Sequence, residues 1–431
     1  MAVAQQTDLL TWGGEDVFTP TLLVGPTATG KTQLLKNLLQ QLILAKKEGK
    51  QVGFTVVEST GELSRFVQKT CAEHQVEYHC LAVKETSSSS FNVFQGSASS
   101  VANMLSIAVK QSFNQDPFFV TLQDELIRNT VRLLKAIFKD RANISDLLET
   151  IASKEILMDR VLTLKRLATD PDLVRYYEET DPELISKLGV GLRLILEDIL
   201  SPEYPLKAAI SGESTIDLQE HMNQGGILTI SADKIHRAGD MFVRLMSMHV
   251  QQAACDRSED QAKTPHFFIV EELWRHMHSY TENFVNSAPQ HKVAGIFTTQ
   301  CLGQLGAFTK SQQNQQIIKN CRNKIFFSPH DLQEVRYILD ELGYQQEGQG
   351  PNTFNATDLM FMPHSQFVYK LMQEGQPTVG FARSSLHDWP ARSSSSTVHT
   401  PQSQESDPSY YDHHFEVGVN VTHNGSLESA G

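Results

Sequence analysis

The chain has 431 residues, 40% of them apolar, and a formal net charge of −13. That length accommodates two or three compact units, or one large α/β domain with an insertion. No apolar run approaches the ~18 residues that a membrane-spanning helix needs, so the sequence does not predict a membrane-spanning protein. The acidic balance excludes a surface that is basic throughout, although an acidic protein can still bind DNA through a small basic stripe.

The cysteines and the first residues indicate the compartment. The five cysteines are scattered, which is typical of a reducing compartment with no disulfide framework. The segment 1–8 lacks the basic start and the apolar core of a signal peptide. We therefore expect a cytoplasmic protein, and any role at a membrane must come through a partner.

The most specific feature is a match to the phosphate-binding loop pattern GxxxxGK[ST] at residues 25–32. An apolar run at 18–24 predicts a buried strand before it, and apolar residues at helical spacing predict a helix after it. Loop N–H groups and the positive end of the helix dipole would then face a phosphate chain. Lys31 would reach the β- and γ-phosphates, and the Thr32 hydroxyl would hold Mg²⁺. The predicted nucleotide-binding residues are Gly25, Pro26, Thr27, Ala28, Thr29, Gly30, Lys31 and Thr32.

Strand and helix patterns alternate on both sides of a helical stretch, which predicts an α/β fold with a mostly parallel sheet flanked by helices. Predicted strands lie at 52–57, 78–83, 226–231, 266–270, 293–299 and 324–327, with a closing hairpin at 367–382. We expect a RecA-like nucleotide-binding domain in two halves, 1–115 and 206–383. Residues 116–205 are predicted to form an all-helical insertion domain, in which Thr180-Asp-Pro-Glu183 is a predicted capping box. The acidic Ser-, Pro- and His-rich tail at 384–431 is predicted to be disordered.

Two acids directly follow the predicted strand at 266–270. A P-loop ATPase needs carboxylates at the end of a strand next to its phosphate loop, and Glu271 and Glu272 fit that place. Glu271 would bind Mg²⁺ through water, and Glu272 would polarise the attacking water. Both are therefore candidate site residues, Glu271 for the metal and Glu272 for catalysis.

Three further polar residues are candidates for contact with the triphosphate. Gln300 ends the next predicted strand, where a side chain can sense the γ-phosphate or position water. Arg322 and Arg275 are each placed to act as an arginine finger into a neighbouring subunit, with structural pairing as the alternative role. We carry Lys31, Gln300 and Arg322 forward, with Glu272, as predicted catalytic residues.

The motifs resemble, in order as well as type, those of the conjugative coupling proteins of type IV secretion. This TraG/TraD group of hexameric DNA-pumping ATPases belongs to the HerA–FtsK class. The similar segments are Val24–Thr32, Glu58–Glu62 (Asp-Pro-Lys-Gly-Glu in the family), Phe91–Val93, Gln300–Leu305, Ile318–Asp331 and Leu342-Gly343. The resemblance covers residues 18–383.

The sequence departs from this family at several places. Family members usually begin with membrane helices, whereas this chain begins close to its first predicted strand, so we expect no membrane insertion of its own. Glu58 and Glu271 stand where the family has aspartates, and Thr60 stands where it has a lysine. A tryptophan after the acid pair, here Trp274, is a feature in which the chain resembles instead the pilus-assembly ATPases of the same systems.

The resemblance implies an ATP-hydrolysing motor that uses ATP and Mg²⁺. It further implies a ring, expected to be a hexamer, that translocates DNA or a DNA–protein substrate through its pore, with secretion-channel or relaxase-type proteins as partners. One alternative is a secretion-machine ATPase of the pilus-assembly type that acts on protein. Another is a non-hydrolysing ATP-binding scaffold in which Glu271 disables magnesium chemistry. A small-molecule kinase is disfavoured because the sequence contains no recognisable acceptor-binding motif.

Overall fold

The structure is a computed structural model. It describes residues 7–83, 87–111, 117–201, 206–232, 237–258, 264–308, 311–343, 355–384 and 416–422. The strands are β1 (Thr7–Gly13), β2 (Thr21–Val24), β3 (Gly53–Glu58), β4 (His79–Ala82), β5 (Ile227–Ser231), β6 (His266–Val270), β7 (Val293–Thr299), β8 (Asn323–Phe326), β9 (Gln366–Gln373), β10 (Gln376–Arg383) and β11 (Glu416–Thr422).

The helices up to the end of the insertion are α1 (Lys31–Lys47), α2 (Glu62–His74), α3 (Ala98–Lys110), α4 (Pro117–Phe138), α5 (Ile144–Ala152), α6 (Lys154–Leu167), α7 (Pro171–Glu179) and α8 (Pro182–Ile199). They are followed by α9 (Leu206–Ile210), α10 (Leu218–Asn223), α11 (Arg237–Cys255), α12 (Ser279–Ser287), α13 (Gln312–Asn320), α14 (Leu332–Glu341) and α15 (Ala356–Met360). Within the described residues, none of these helices has the length and apolarity needed to cross a membrane.

The described chain divides into two compact units. Unit 1 comprises the described residues within 1–41, 300–302 and 321–431, and unit 2 comprises those within 42–299 and 303–320.

Unit 1 contains the phosphate loop and the closing hairpin. Four of its strands lie in the order β10, β9, β8, β2, with β2 and β8 parallel and the other two pairs antiparallel, while β1 and β11 form a separate two-stranded sheet. The hairpin between β9 and β10 turns at Glu374-Gly375, whose φ values of 52° and 74° are those of a type I′ turn. The hairpin predicted at 367–382 is therefore confirmed.

Unit 2 contains five parallel strands in the order β7, β6, β3, β5, β4. Nearly every residue of these strands is buried, as expected when helices cover both faces of a parallel sheet. Register aligns Val57 with Val270 and Val270 with Phe297, so the carboxyl ends of β3, β6 and β7 meet at one edge. The predicted strands at 266–270 and 293–299 are confirmed to the residue.

The predicted insertion contains α4 to α8, and no strand lies within 117–201. Its core joins apolar side chains of α4, α6 and α7, among them Leu133, Leu164 and Leu173. The predicted capping box at Thr180 is wrong, because α8 begins one residue later than that box requires. Asp181 is the N-cap of α8 and accepts a hydrogen bond from the N–H of Glu183 at 2.9 Å, whereas Thr180 is the C-cap of α7.

The C-terminal segment differs in part from the disorder that the sequence predicts for 384–431. Residues 416–422 form β11, which pairs antiparallel with β1 over seven residues, from Thr7 opposite Thr422 to Gly13 opposite Glu416. Residues 385–415 and 423–431 lie outside the described residues. A valine at every second position of Glu416–Thr422 is the local pattern that could have predicted this strand.

Candidate functional site

The phosphate loop of unit 1 connects β2 directly to α1. The strand ends at Val24, and the helix begins at Lys31. Ala28 and Gly30 take left-handed backbone conformations, with φ of 63° and 115°. The first backbone N–H groups of α1 have no partner within the helix, and they carry the positive end of its dipole. The predicted order of strand, loop and helix around the motif is confirmed, although the strand is shorter than the predicted 18–24 and Phe18 ends a 3-10 helix.

The ammonium group of Lys31 lies against the loop that precedes it. Its Nζ donates hydrogen bonds to the carbonyl oxygens of Gly25 and Pro26, the second at 2.7 Å. The Thr29 hydroxyl donates to the same Pro26 carbonyl at 2.8 Å. The loop therefore holds one fixed positive charge next to its own backbone.

Two loop glycines are required by close packing within unit 1. A Cβ atom on Gly25 would lie 2.6 Å from the Cβ of Phe327, and one on Gly30 would lie 2.9 Å from the Cα of Ser365. Phe327 also donates its backbone N–H to the Val24 carbonyl at 2.8 Å. Any larger residue at either glycine would displace backbone, so the glycines of the motif serve packing as well as phosphate approach.

Ser365, which the sequence analysis did not identify, fixes the loop from the hairpin side. Its N–H donates to the carbonyl of Thr29 at 2.9 Å, and its own carbonyl accepts from the N–H of Ser384 at 2.8 Å. The Ser384 hydroxyl in turn accepts from Asn37 of α1 at 3.2 Å. The two ends of the β9–β10 hairpin are therefore attached to the phosphate loop and its helix.

The acid pair lies in unit 2, immediately after β6. Glu271 donates its N–H to the carbonyl of Val57 at 2.9 Å, which extends the β3–β6 pairing by one residue. Glu272 donates its N–H to the Thr298 hydroxyl at 3.2 Å. The backbone of Glu272 is left-handed, with φ of 57°, a conformation that costs a residue with a side chain about 1 kcal/mol or more. The chain thus turns sharply between the two carboxylates.

A buried carboxylate lies beside this pair. Glu58, the last residue of β3, has no exposed surface, and it accepts hydrogen bonds from the N–H groups of Leu63 and Ser64. It therefore caps the N-terminus of α2 with its negative charge. The Thr60 hydroxyl lies 2.8 Å from Glu58 Oε2 and 3.3 Å from Glu271 Oε2.

Glu272 is held by an arginine. Arg275 Nε donates to Glu272 Oε2 at 2.9 Å, and Arg275 Nη1 donates to Asp240 of α11 at 3.1 Å. The guanidinium also stacks over the Trp274 ring, 4.6 Å from its centroid. Arg275 is thus paired within its own chain, the alternative role that the sequence analysis gave it. Asp240 had no signal in the sequence, because it comes from a different helix.

The two remaining candidates lie in unit 1. Gln300 directly follows β7 along the chain and is half-buried. Arg322 is exposed and directly precedes β8, and its Nη2 lies 3.5 Å from Met372 Sδ. Because β2 and β8 are parallel, with Thr21 opposite Asn323, Arg322 lies at the end of β2 away from the phosphate loop, one strand length or about 13 Å distant.

Comparison with known proteins defines the class. The structure resembles the plasmid coupling protein TrwB in complex with ADP and Mg²⁺, with a TM-score of 0.63 and 12% identity over 88% of each chain. It also resembles TrwB with a non-hydrolysable ATP analogue (TM-score 0.59, 13% identity, 91% of this chain and 92% of that chain). VirB4 of Thermoanaerobacter pseudethanolicus is similar too (TM-score 0.53, 12% identity, 85% and 90%). The fold is therefore that of a RecA-like P-loop NTPase.

The family follows from the sequence itself. Residues 14–353 match the model of the type IV secretion-system coupling protein DNA-binding domain. The match spans most of the chain, so this protein belongs to that family, as the motif order predicted. A search of curated protein sequences finds no match.

Proposed function

We propose that this protein is an ATP-hydrolysing motor of the coupling-protein type, which moves DNA or a DNA–protein substrate. The observation that carries the proposal is the phosphate loop, with Lys31 held against it at the start of α1, in a chain of the coupling-protein family. The coarser assignment, a P-loop NTPase of type IV secretion, rests on the family match and the fold.

The residues of the loop fit a triphosphate and its magnesium ion. Left-handed backbone at Ala28 and Gly30 and the first N–H groups of α1 provide donors for phosphate oxygens. Lys31 supplies the point charge, the Thr32 hydroxyl is an oxygen ligand of the kind that Mg²⁺ prefers, and the Glu271 carboxylate would hold the ion through water. Bound Mg²⁺ would neutralise charge on the phosphates. Two TrwB structures, one with ADP and Mg²⁺ and one with an ATP analogue, support ATP and Mg²⁺ as the cofactors.

Three side chains are proposed to act during hydrolysis. Glu272 accepts the proton of the attacking water, and Arg275 orients its carboxylate through Oε2. Gln300 orients that water against the γ-phosphate. Arg322 stabilises developing charge in the nucleotide site of a neighbouring copy. It directly precedes β8, at the end of the β2–β8 pair away from the phosphate loop, and this position keeps it from the loop of its own chain.

DNA, ring assembly and protein partners belong to the same proposal. The family is named for a DNA-binding domain, and we propose a hexameric ring with DNA in its pore. Contacts to DNA phosphates would dominate affinity and make it fall with salt. Secretion-channel or relaxase-type proteins would bring this cytoplasmic motor to the inner membrane.

The test is Mg²⁺-dependent ATP hydrolysis with and without double-stranded DNA, over protein concentrations that span assembly. Turnover that rises with DNA and with protein concentration would support the translocating ring. Turnover indifferent to DNA would favour the secretion energiser that acts on protein. Tight ATP binding without turnover under any condition would overturn the motor and leave the scaffold.

A further inference from the structure

The Thr60 hydroxyl lies between two carboxylates from neighbouring strands. Glu58 ends β3 and Glu271 follows β6, and these strands pair in parallel with Val57 opposite Val270. Thr60 Oγ1 is 2.8 Å from Glu58 Oε2 and 3.3 Å from Glu271 Oε2. Since a hydroxyl has one proton, Thr60 can donate to only one of the two oxygens at a time.

Other groups already stabilise the charge on Glu58. This carboxylate is fully buried, and the N–H groups of Leu63 and Ser64 donate to its two oxygens. Those groups begin α2, so the positive end of a 13-residue helix faces the carboxylate. Glu58 therefore keeps both oxygens hydrogen-bonded and its charge stabilised when the Thr60 proton turns to Glu271.

Thr60 is itself held in place. The N–H of Glu62 donates to Thr60 Oγ1 at 3.3 Å, so the oxygen accepts one hydrogen bond while its proton faces the carboxylates. The Glu271 backbone is fixed by its hydrogen bond to Val57 at 2.9 Å. With the backbone fixed, the Thr60 contact acts on the orientation of the Glu271 side chain.

We propose that Thr60 is a positioning residue that orients the Glu271 carboxylate for its magnesium ion. The inference rests on the proposed role of Glu271 in holding that ion through water. A glutamate side chain has several rotatable bonds, so it has rotamers to lose when it takes up one orientation. The Thr60 hydroxyl restricts these rotamers through its contact with Glu271 Oε2.

The experiment measures the affinity of the full-length protein for a fluorescent, non-hydrolysable ATP analogue in Mg²⁺ and in EDTA. The dissociation constant in EDTA divided by that in Mg²⁺ is a ratio that reports magnesium binding without any turnover. Thr60→Val removes the hydroxyl at constant shape, and we expect it to reduce this ratio about tenfold, the usual scale for loss of a group that orients a metal ligand. Thr60→Ser keeps the hydroxyl and should retain the wild-type ratio.

Thr70→Val is the matched control. Thr70 is buried in α2, and its hydroxyl donates to the carbonyl of Phe66 at 2.8 Å, away from the carboxylates. It should leave the ratio unchanged, and thermal unfolding of each variant checks its folding. If Thr60→Val unfolds, Thr60→Ala takes its place in the same comparison.

The outcomes separate the inference from the proposed function. A reduced ratio in Thr60→Val, restored by Thr60→Ser, supports it. A normal magnesium effect in both the wild type and Thr60→Val overturns the role of Thr60 and leaves the magnesium site intact. A wild type that binds the analogue equally well in EDTA overturns the magnesium site and this inference together.

Discussion

The backbone N–H of Ser365 donates a hydrogen bond to the carbonyl of Thr29, and the Cα of Ser365 lies where a side chain on Gly30 would have to be. The phosphate loop is thereby packed against the start of β9. Ser365 has φ of 67°, a left-handed conformation that the contact maintains in a residue with a side chain. The geometry of the phosphate loop therefore depends on a residue that directly precedes β9 and is far from the loop in the sequence.

Ser365→Pro should weaken ATP binding. Proline has no N–H to donate to Thr29, and its ring fixes φ near −65°, which is incompatible with the observed 67°. We expect a roughly tenfold rise in the dissociation constant for ATP, the scale of one lost hydrogen bond. Ser365→Gly keeps the N–H and tolerates the backbone, so its affinity should match the wild type. Equal weakening in both variants would show that the serine side chain matters instead.

Lys31→Ala should abolish nucleotide turnover without unfolding the protein. The substitution removes the positive charge that the loop holds beside Gly25 and Pro26. Loss of one preorganised charge at a developing oxyanion costs at least about a hundredfold in rate. Steady-state hydrolysis measures the effect, and a thermal unfolding midpoint within a few degrees of wild type is the control. Unchanged turnover would refute the assignment of the P-loop.

Substitutions of Glu272 and Glu271 should impair different steps, hydrolysis and Mg²⁺-dependent binding respectively. Glu272→Gln keeps an oxygen for Arg275 but cannot take a proton from water, so hydrolysis should fall about a hundredfold or more while Mg²⁺-dependent ATP binding persists. Glu271→Gln removes the negative charge proposed to hold Mg²⁺ through water, so the Mg²⁺-dependent part of ATP binding should be lost first. Binding measured with a non-hydrolysable analogue separates the two. Identical defects would contradict the division of roles.

Arg322 should act on a neighbouring copy. Neither Arg322→Ala nor Lys31→Ala should hydrolyse ATP alone, yet a mixture should regain activity. If the protein forms the proposed ring, some interfaces of a mixed assembly would combine the intact phosphate loop of one variant with the intact Arg322 of the other. No recovery on mixing, in a protein shown to assemble, would mean that Arg322 acts within its own chain or is not catalytic.

Stability should decline as the pH falls through the range of histidine titration. Burial lowers the pKa of five histidines in unit 2: His221 and His278 to about 3, His249 to about 4, and His266 and His276 well below their usual value. In the unfolded chain these groups bind protons near pH 6.5, whereas in the folded chain they stay neutral. The unfolded state therefore binds more protons, and the free energy of unfolding falls as pH drops from about 6.5 toward 4.

Urea unfolding at pH 7.5, 6.5 and 5.5 tests this expectation. Each buried histidine contributes up to about 1.4 kcal/mol per pH unit. His249→Gln can keep a donor for the carbonyl of Val93, which His249 Nε2 contacts at 3.0 Å, and it should reduce the slope by that amount. A pH-independent midpoint between 7.5 and 5.5 would contradict the neutral state of these side chains.

Local patterns in the sequence were sufficient for the phosphate loop, for β2 to β10 and for the acid pair after β6, but not for β1 and β11. Each depends on residues that are close in the chain: a glycine loop between a strand and a helix, or two acids after four apolar residues. The family followed for the same reason, since motif order is a property of the sequence. The shift of the cap from Thr180 to Asp181 shows how far such patterns resolve element ends.

Tertiary structure alone decided the contacts between distant residues. Ser384 meets Asn37 across 347 residues of chain, and Thr60 meets Glu271 across 211. The pairing of Arg275 with Asp240 and the place of Arg322 at the far end of β8 are of the same kind. Periodicity and spacing report which face of an element is buried, but strand register and helix packing determine which side chain it faces. The sequence therefore predicted the nucleotide-binding class, and only the fold showed which residues hold the loop and the carboxylates in place.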